Sequence, residues 1–175
     1  MVSSPHRPIG NFLTESEYLQ VPFRSGPARI FKSKGYRTRF IYGGNPGWRD
    51  MNKFAKFQGF DSIEGEVDIE QKLGPVKEKH DWGIYDEDLF RYIEVTLKEA
   101  QEPQMLLVMT TTNHPPYQVP ASFVAPSQKI PAELSSRLVG DSKDLVGPRM
   151  KVYHYSNDQL GKFLKNIRES GEKSL

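Results

Sequence analysis

The spacing of apolar and polar residues changes several times along the chain, and each change marks an element. In "YRTRFIY", Tyr36, Thr38, Phe40 and Tyr42 alternate with Arg37, Arg39 and Ile41. Period two in β-branched and aromatic residues predicts a strand over Arg37–Tyr42, closed by Gly43 and Gly44. Before it, "GPARIFKSK" has Pro27 at a suitable first helical position, Ile30 and Phe31 as a small apolar face and Gly35 as a stop, predicting a short helix over 26–34. After it, Met51, Phe54 and Phe57 recur every three residues, with Asn45 and Pro46 as a cap and first-turn proline and Gly59 as the stop. The predicted unit is strand, glycine turn, helix. "FDSI" adds a short extended piece, and residues 64–80, charged and without a clear period, read as a surface connection.

Further on, "DWGIYDEDLFRYIEVTLKEA" places three acids in a first turn and aligns Leu89, Phe90, Ile93, Leu97 and Ala100, predicting a helix over Asp86–Ala100. Pro103 then resets the chain into "MLLVMTTT", a continuous apolar run of the kind covered on both faces in a parallel sheet. Residues 115–148 are rich in proline and loop-like, with a hint of helix over 132–138. A last helix is predicted over 148–169, with Tyr153, Leu160, Phe163, Leu164 and Ile167 on one face and Gly171 after it. Residues 1–24 read as an irregular lead-in segment. The alternation of strands and helices argues for an α/β fold with a mostly parallel sheet.

Length and charge narrow the function. The 175 residues suit one domain, residues 1–175, and a formal net charge of +2 provides no field for wrapping nucleic acid, so no nucleic-acid partner is expected. The hydrophobic fraction of 37% and mean hydropathy of −0.62 are somewhat low for a self-sufficient domain, so part of the core is expected to be missing. With no cysteine, disulfides and thiolate metal sites are excluded. The longest strongly apolar run, Met105–Met109, is far short of the ~20 residues that span a bilayer, and the N-terminus lacks the order of a signal peptide; the chain is expected to be soluble.

Candidate chemistry collects at strand ends. In "TTTNHPPY", His114 lies just past the carboxyl end of an apolar strand, where α/β sheets bind ligands, and Pro115 restricts its backbone. It reads either as a turn histidine bonded to local backbone or as a group that meets a ligand. In "YGGNPGWRD", the glycines allow close approach, Asn45 and Pro46 can open a helix that favours an anion, Arg49 suits phosphate or sulfate, and Trp48 can close over a small polyol. The alternative is a plain strand-to-helix turn, with Trp48 in the core and Arg49 solvated. "DWGIYDED" offers oxygen ligands for a divalent cation, but acids in that position also complement a helix dipole. His6, His80 and His154 have no ligand-like spacing, and neither a zinc-protease nor a nucleophile-elbow motif occurs.

"GYRTRFIYGGNPGWRDMNKFAKFQGFD", "DWGIYDEDLF" and "TTTNHPPY", in this order and at these separations, resemble the lipoteichoic acid synthase and phosphoglycerol transferase branch of the sulfatase-like alkaline phosphatase superfamily. The resemblance runs from about Gly26 to Arg168, and "YHYSNDQLGKFLKNI" is similar to the helix that precedes the family's Asp-His metal motif. It implies a partial alkaline-phosphatase/sulfatase-like sandwich, a divalent cation (manganese in the synthases) and a threonine nucleophile that takes up phosphoglycerol. A covalent intermediate of this kind splits one transfer into two steps. The family's substrate-binding histidine corresponds to His114, the candidate proton donor, and its tryptophan and arginine to Trp48 and Arg49, here adjacent where the synthases place a residue between them. Asn45 corresponds to a polar contact after the glycine.

The departures are equally informative. In the family the nucleophile and one acidic ligand lie upstream of this region and the Asp-His pair downstream, and the chain has no Asp-His dipeptide. Thr14, in "FLTESEY", does not resemble the nucleophile segment. The resemblance therefore implies the central part of a larger catalytic domain, with sheet strands and most metal ligands absent and no turnover by this chain alone. The intact enzyme is expected to be extracytoplasmic and membrane-anchored through segments outside this chain, acting on glycerol-phosphate or a related phosphate or sulfate ester. The rival reading is a noncatalytic module binding glycerol phosphate or another anion.

Overall fold

The computed structural model describes residues 12–127, 130–140 and 142–172. Its centre is strand β1 (Arg37–Tyr42), flanked in parallel by β2 (Ser62–Glu64) and β5 (Gln104–Met109) in the order β2-β1-β5. The register pairs Arg39 with Ser62 and Leu106, and Tyr42 with Met109, so the carboxyl ends of β1 and β5 are level. Alternation along β1 feeds two layers, as period two requires. Ile41 enters a cluster with Ile69, Ile84, Leu89 and Ile93, whereas Phe40 and Tyr42 pack with Ala55.

The helices follow the punctuation of the sequence. α1 (Pro27–Lys32) starts with Pro27 at its head, and α2 (Met51–Gln58) ends at Gly59 with φ 91°, a left-handed cap that glycine adopts without Cβ strain. α4 (Asp86–Glu99) buries Leu89, Phe90, Tyr92 and Ile93. A short α5 (Ala132–Ser135) and a long α6 (Ser142–Glu172) complete the chain. α6 packs on α4, with Phe163 stacked on Phe90 at 5.0 Å. No helix among the described residues is long and apolar enough to cross a membrane.

Several expectations need correcting. Asn45 and Pro46 do not open α2: a tight turn and a 3-10 segment, Trp48–Asp50, intervene, with Arg49 and Asp50 at positive φ. Residues 64–80 are not merely a surface connection. They form α3 (Glu66–Leu73) and β3 (Lys79–His80), which pairs antiparallel with β4 (Gly83–Ile84). α3 is held by Ile69, which is fully buried, and by the Asp68 carboxylate accepting from the Gly65 amide at 2.8 Å. β5 is only half-buried, with Leu107 42% exposed, because it has β1 on one side and no strand on the other among the described residues. α6 begins before Pro148, runs through Gly171 and buries Val152, Tyr155 and Gln159, whereas Tyr153, Leu160 and Leu164 are exposed. Much of the lead-in, residues 1–11 with His6, lies outside the described residues; its described part carries a short 3-10 turn, Leu13–Glu15.

One polar network ties the layers together. Arg39 donates from Nη1 to Glu64 at 2.7 Å and from Nε to Gln104 at 2.9 Å, and the Tyr92 hydroxyl donates to Glu64 at 2.8 Å. All three strands and α4 are thereby joined through groups that are mostly shielded from water.

Candidate functional site

At the carboxyl end of β1 the backbone continues straight into contact with its neighbours. The Gly43 amide donates to Met109, and the Gly43 carbonyl accepts from Ile84 at 2.8 Å. A Cβ on Gly44 would lie 2.5 Å from the Trp82 carbonyl oxygen, and one on Gly83, whose φ is +132°, 2.3 Å from that of Gly43. Glycine is needed here so that the β3–β4 turn can lie on the strand end. The close approach expected for a ligand is instead an approach of backbone to backbone, and its effect is to carry Trp82 to the level of the strand ends.

Beneath that turn lies a chain of buried polar contacts. The Trp82 amide donates to Nδ1 of His80 at 3.2 Å, so His80 carries its proton on Nε2 and gives it to the Thr111 hydroxyl at 2.9 Å. The Thr111 hydroxyl in turn donates to the Ile84 carbonyl at 3.0 Å. Burial holds the His80 pKa below its ordinary value, against the opposing pull of Asp86 and Asp81. Thr112 donates to the Asp86 carboxylate at 2.6 Å and accepts from the Asp86 amide at 3.1 Å; the Glu87 amide donates to the Tyr155 hydroxyl at 3.3 Å. Two free amides at the start of α4 are thus satisfied by distant side chains. Asp88 pairs with Arg91, so the acids of "YDED" form a helix start tied into the fold.

His114 stands above these contacts, exposed, with Nδ1 donating to the Pro115 carbonyl at 2.9 Å. Trp82 donates from Nε1 to the same carbonyl at 2.7 Å, and its ring centre lies 4.0 Å from the imidazole. Trp48 meets Trp82 edge-on at 5.9 Å. Together with Tyr42, Thr110 and Asn113, these rings border a cleft of about 260 Å³. A second cavity, about 560 Å³, opens beyond Asn113 between Tyr117 and α6.

The structure therefore brings His114 and Trp48 to one cleft, and both readings of His114 meet there, since one nitrogen is bonded to local backbone and the other is left over. Trp48, 38% exposed, is not a core residue. Arg49 does not join them. Its guanidinium lies 3.7 Å from the centre of the Phe12 ring, 4.9 Å from that of Trp48 and 3.3 Å from a Glu15 oxygen, so it packs behind Trp48 against the lead-in segment and does not border the cleft. Asn45 is not among the residues that border this cleft, and its side-chain oxygen accepts from the Gly47 amide at 2.8 Å. Trp82 and His80 are the participants that periodicity missed. The signal was the compact "KHDWG", a polar turn with aromatic residues before a helix start. Among the described residues no three His, Asp or Glu side chains come together to hold a metal ion, so they do not by themselves fit a divalent cation.

Comparison with known proteins adds kinship to this geometry. Residues 24–174 match the family model described as Sulfatase. Phosphoglycerol transferase I of Salmonella choleraesuis (strain SC-B67) is 26% identical over 90 residues, covering 49% of this chain and 12% of the relative. The protein of the same name from Escherichia coli (strain 55989 / EAEC) matches over the same shares. Among solved structures, the lipoteichoic acid synthase LtaP from Listeria monocytogenes shares the fold, with a TM-score of 0.64 over 82% of this chain and 33% of that one at 19% identity. An alkaline phosphatase superfamily protein from Vibrio parahaemolyticus gives 0.63 over 89% and 35% at 26% identity. The chain thus spans a minor part of the length of each.

Proposed function

Because the chain belongs to the sulfatase family, we propose that it forms the substrate-facing part of a site for an anionic ester of the phosphoglycerol type, centred on His114. The observation that carries this reading is the imidazole in the cleft: with Nδ1 engaged by Pro115, Nε2 is the nitrogen left for a ligand oxygen. In this role Nε2 hydrogen-bonds the ester and, when protonated, donates to it as a bond to oxygen breaks. Trp48 and Trp82 form an apolar wall for the carbon skeleton of the alcohol. Thr110 and Asn113 offer neutral polar contacts at the rim.

The phosphoglycerol transferases among the relatives favour a phosphoglycerol ester, and the Sulfatase family model makes a sulfate ester the nearest alternative. Any divalent cation needs ligands beyond those described here, and the chemistry assigned to this chain is limited to binding, orientation and proton placement. In the proposed setting the site works outside the cytoplasm on a membrane-anchored protein.

The chain contains two tryptophans, Trp48 and Trp82, and both border the cleft, so tryptophan emission reports on this site alone. Titration with glycerol phosphate is expected to change the emission and to give the same affinity by calorimetry. His114→Ala is expected to weaken binding at least about tenfold, equivalent to ~1.4 kcal/mol. Unchanged affinity in His114→Ala, or no binding by the unmodified chain, refutes the proposal.

A further inference from the structure

Trp82 does more than wall the cleft: we infer that it is a positioning residue, which sets the orientation and tautomer of His114 through the Pro115 carbonyl that both side chains share. A carbonyl oxygen has two lone pairs and no proton. Here one is taken by Nε1–H of Trp82 at 2.7 Å and the other by Nδ1 of His114 at 2.9 Å. Since the acceptor cannot donate, Nδ1 must carry hydrogen, and neutral His114 is the Nδ1–H tautomer with its lone pair on Nε2. The indole ring, 4.0 Å from the imidazole centre and inclined at 49°, obstructs the ring flip that would exchange the two nitrogens. The hydrogen bond selects the tautomer, and the ring contact restricts the orientation.

Trp82 is itself held from below. Its amide donates to His80, His80 to Thr111, and Thr111 to the Ile84 carbonyl, so the turn that carries the indole rests on a buried polar chain at the end of the sheet. Gly44 and Gly83 leave the room this turn requires, since a Cβ at either would overlap neighbouring backbone. Trp48, edge-on at 5.9 Å and 85°, also packs against the indole. Rigid support reaches the exposed imidazole through one side chain. A wall residue needs only its ring, whereas a positioning residue also needs Nε1–H, and that distinction can be measured.

The test uses the full chain labelled with 15N in histidine and tryptophan. The ring nitrogens of neutral His114 are expected to show protonated Nδ1 and unprotonated Nε2, and the Trp82 indole proton is expected to shift in His114→Ala. Trp82→Phe, which retains an aromatic ring and loses the donor, is expected to raise the Nε2–H population and to weaken glycerol phosphate at least about threefold. Added to His114→Ala, Trp82→Phe should cost nothing more, because its effect passes through the imidazole. An unchanged tautomer in folded Trp82→Phe, or additive losses, overturns the inference. If that variant does not fold, the unmodified chain decides: an Nε2–H tautomer, or an indole proton indifferent to His114, is equally fatal. Only the affinity arms rest on the proposed function. Correct nitrogen signatures without glycerol phosphate binding would defeat that function and leave the positioning role standing.

Discussion

Asp61 shows how much a single side chain can hold at the edge of this sheet. Its carboxylate accepts from the amide and hydroxyl of Thr38, both at 2.9 Å, while Lys32 binds its other oxygen. The hydrogen bond from Lys32, followed by those from Thr38, holds its pKa down at about 2, against 3.8 ordinarily. A depressed carboxylate contributes stability that is complete above its unfolded value and is lost as pH falls through the folded one. Denaturation in urea is therefore expected to show stability falling from pH 3.8 toward about 2, and Asp61→Asn should remove that part of the pH dependence. An identical acid profile in the two proteins would show that Asp61 is not linked to folding. The paired Gly44 and Gly83 make a related point about sterics. Their value lies in the Cβ atoms they lack, and sequence marks such positions as flexible without revealing what comes close.

Among the elements, α6 best separates pattern from packing. Its composition offers more apolar positions than one face can use. The predicted face of Tyr153, Leu160, Phe163, Leu164 and Ile167 holds at Phe163, which packs on Phe90 of α4, and at half-buried Ile167, whereas Val152 and Tyr155 are buried and Tyr153, Leu160 and Leu164 are exposed. The choice follows from fixed anchors: Tyr155 must reach the Glu87 amide, and Phe163 must lie over Phe90. Val152→Ala is accordingly expected to cost about 2 kcal/mol by leaving a cavity. Leu164→Ser should stay within about 0.5 kcal/mol, since that side chain is already in water. Equal costs in equilibrium denaturation would reverse the assignment of faces. α3 illustrates the converse. Of the three apolar residues between Gly65 and Gly74, Val67 is exposed, and Ile69 and Leu73 alone are too few to announce a helix; the covering layer of the sheet makes one stable.

Across the whole molecule, three strands are held in register by a charged residue as well as by apolar packing. Arg39 reaches Glu64 on one neighbour and Gln104 on the other, and Tyr92 adds a bond from α4. Glu64→Gln is expected to destabilise by about 2 kcal/mol, less than the ~3–5 of a fully buried pair because Arg39 keeps some contact with water. Replacing both partners, Arg39→Met with Glu64→Met, should recover most of that loss by removing the unpaired charge. If the double replacement in urea is as unstable as the sum of the singles, packing rather than charge pairing governs the register. The half-exposed β5 belongs to the same scale. Its apolar run reads as a strand covered on both faces, and its place beside β1 alone among the described residues leaves Leu107 in contact with solvent.

Local pattern was sufficient for β1, α1, α4 and the placing of β5, because period, proline, glycine and first-turn acids act within a few residues of where they stand. It also brought His114 and Trp48 forward, since residues just past adjacent parallel strand ends must lie near each other. Only the tertiary structure decided that Arg49 turns to Glu15, that Trp82 and His80 stand behind His114, and which residues of α6 are buried. Those outcomes depend on contacts between segments tens of residues apart. There the backbone of one turn, the start of one helix and the carbonyl of Pro115 compete for partners, and no local spacing records that competition.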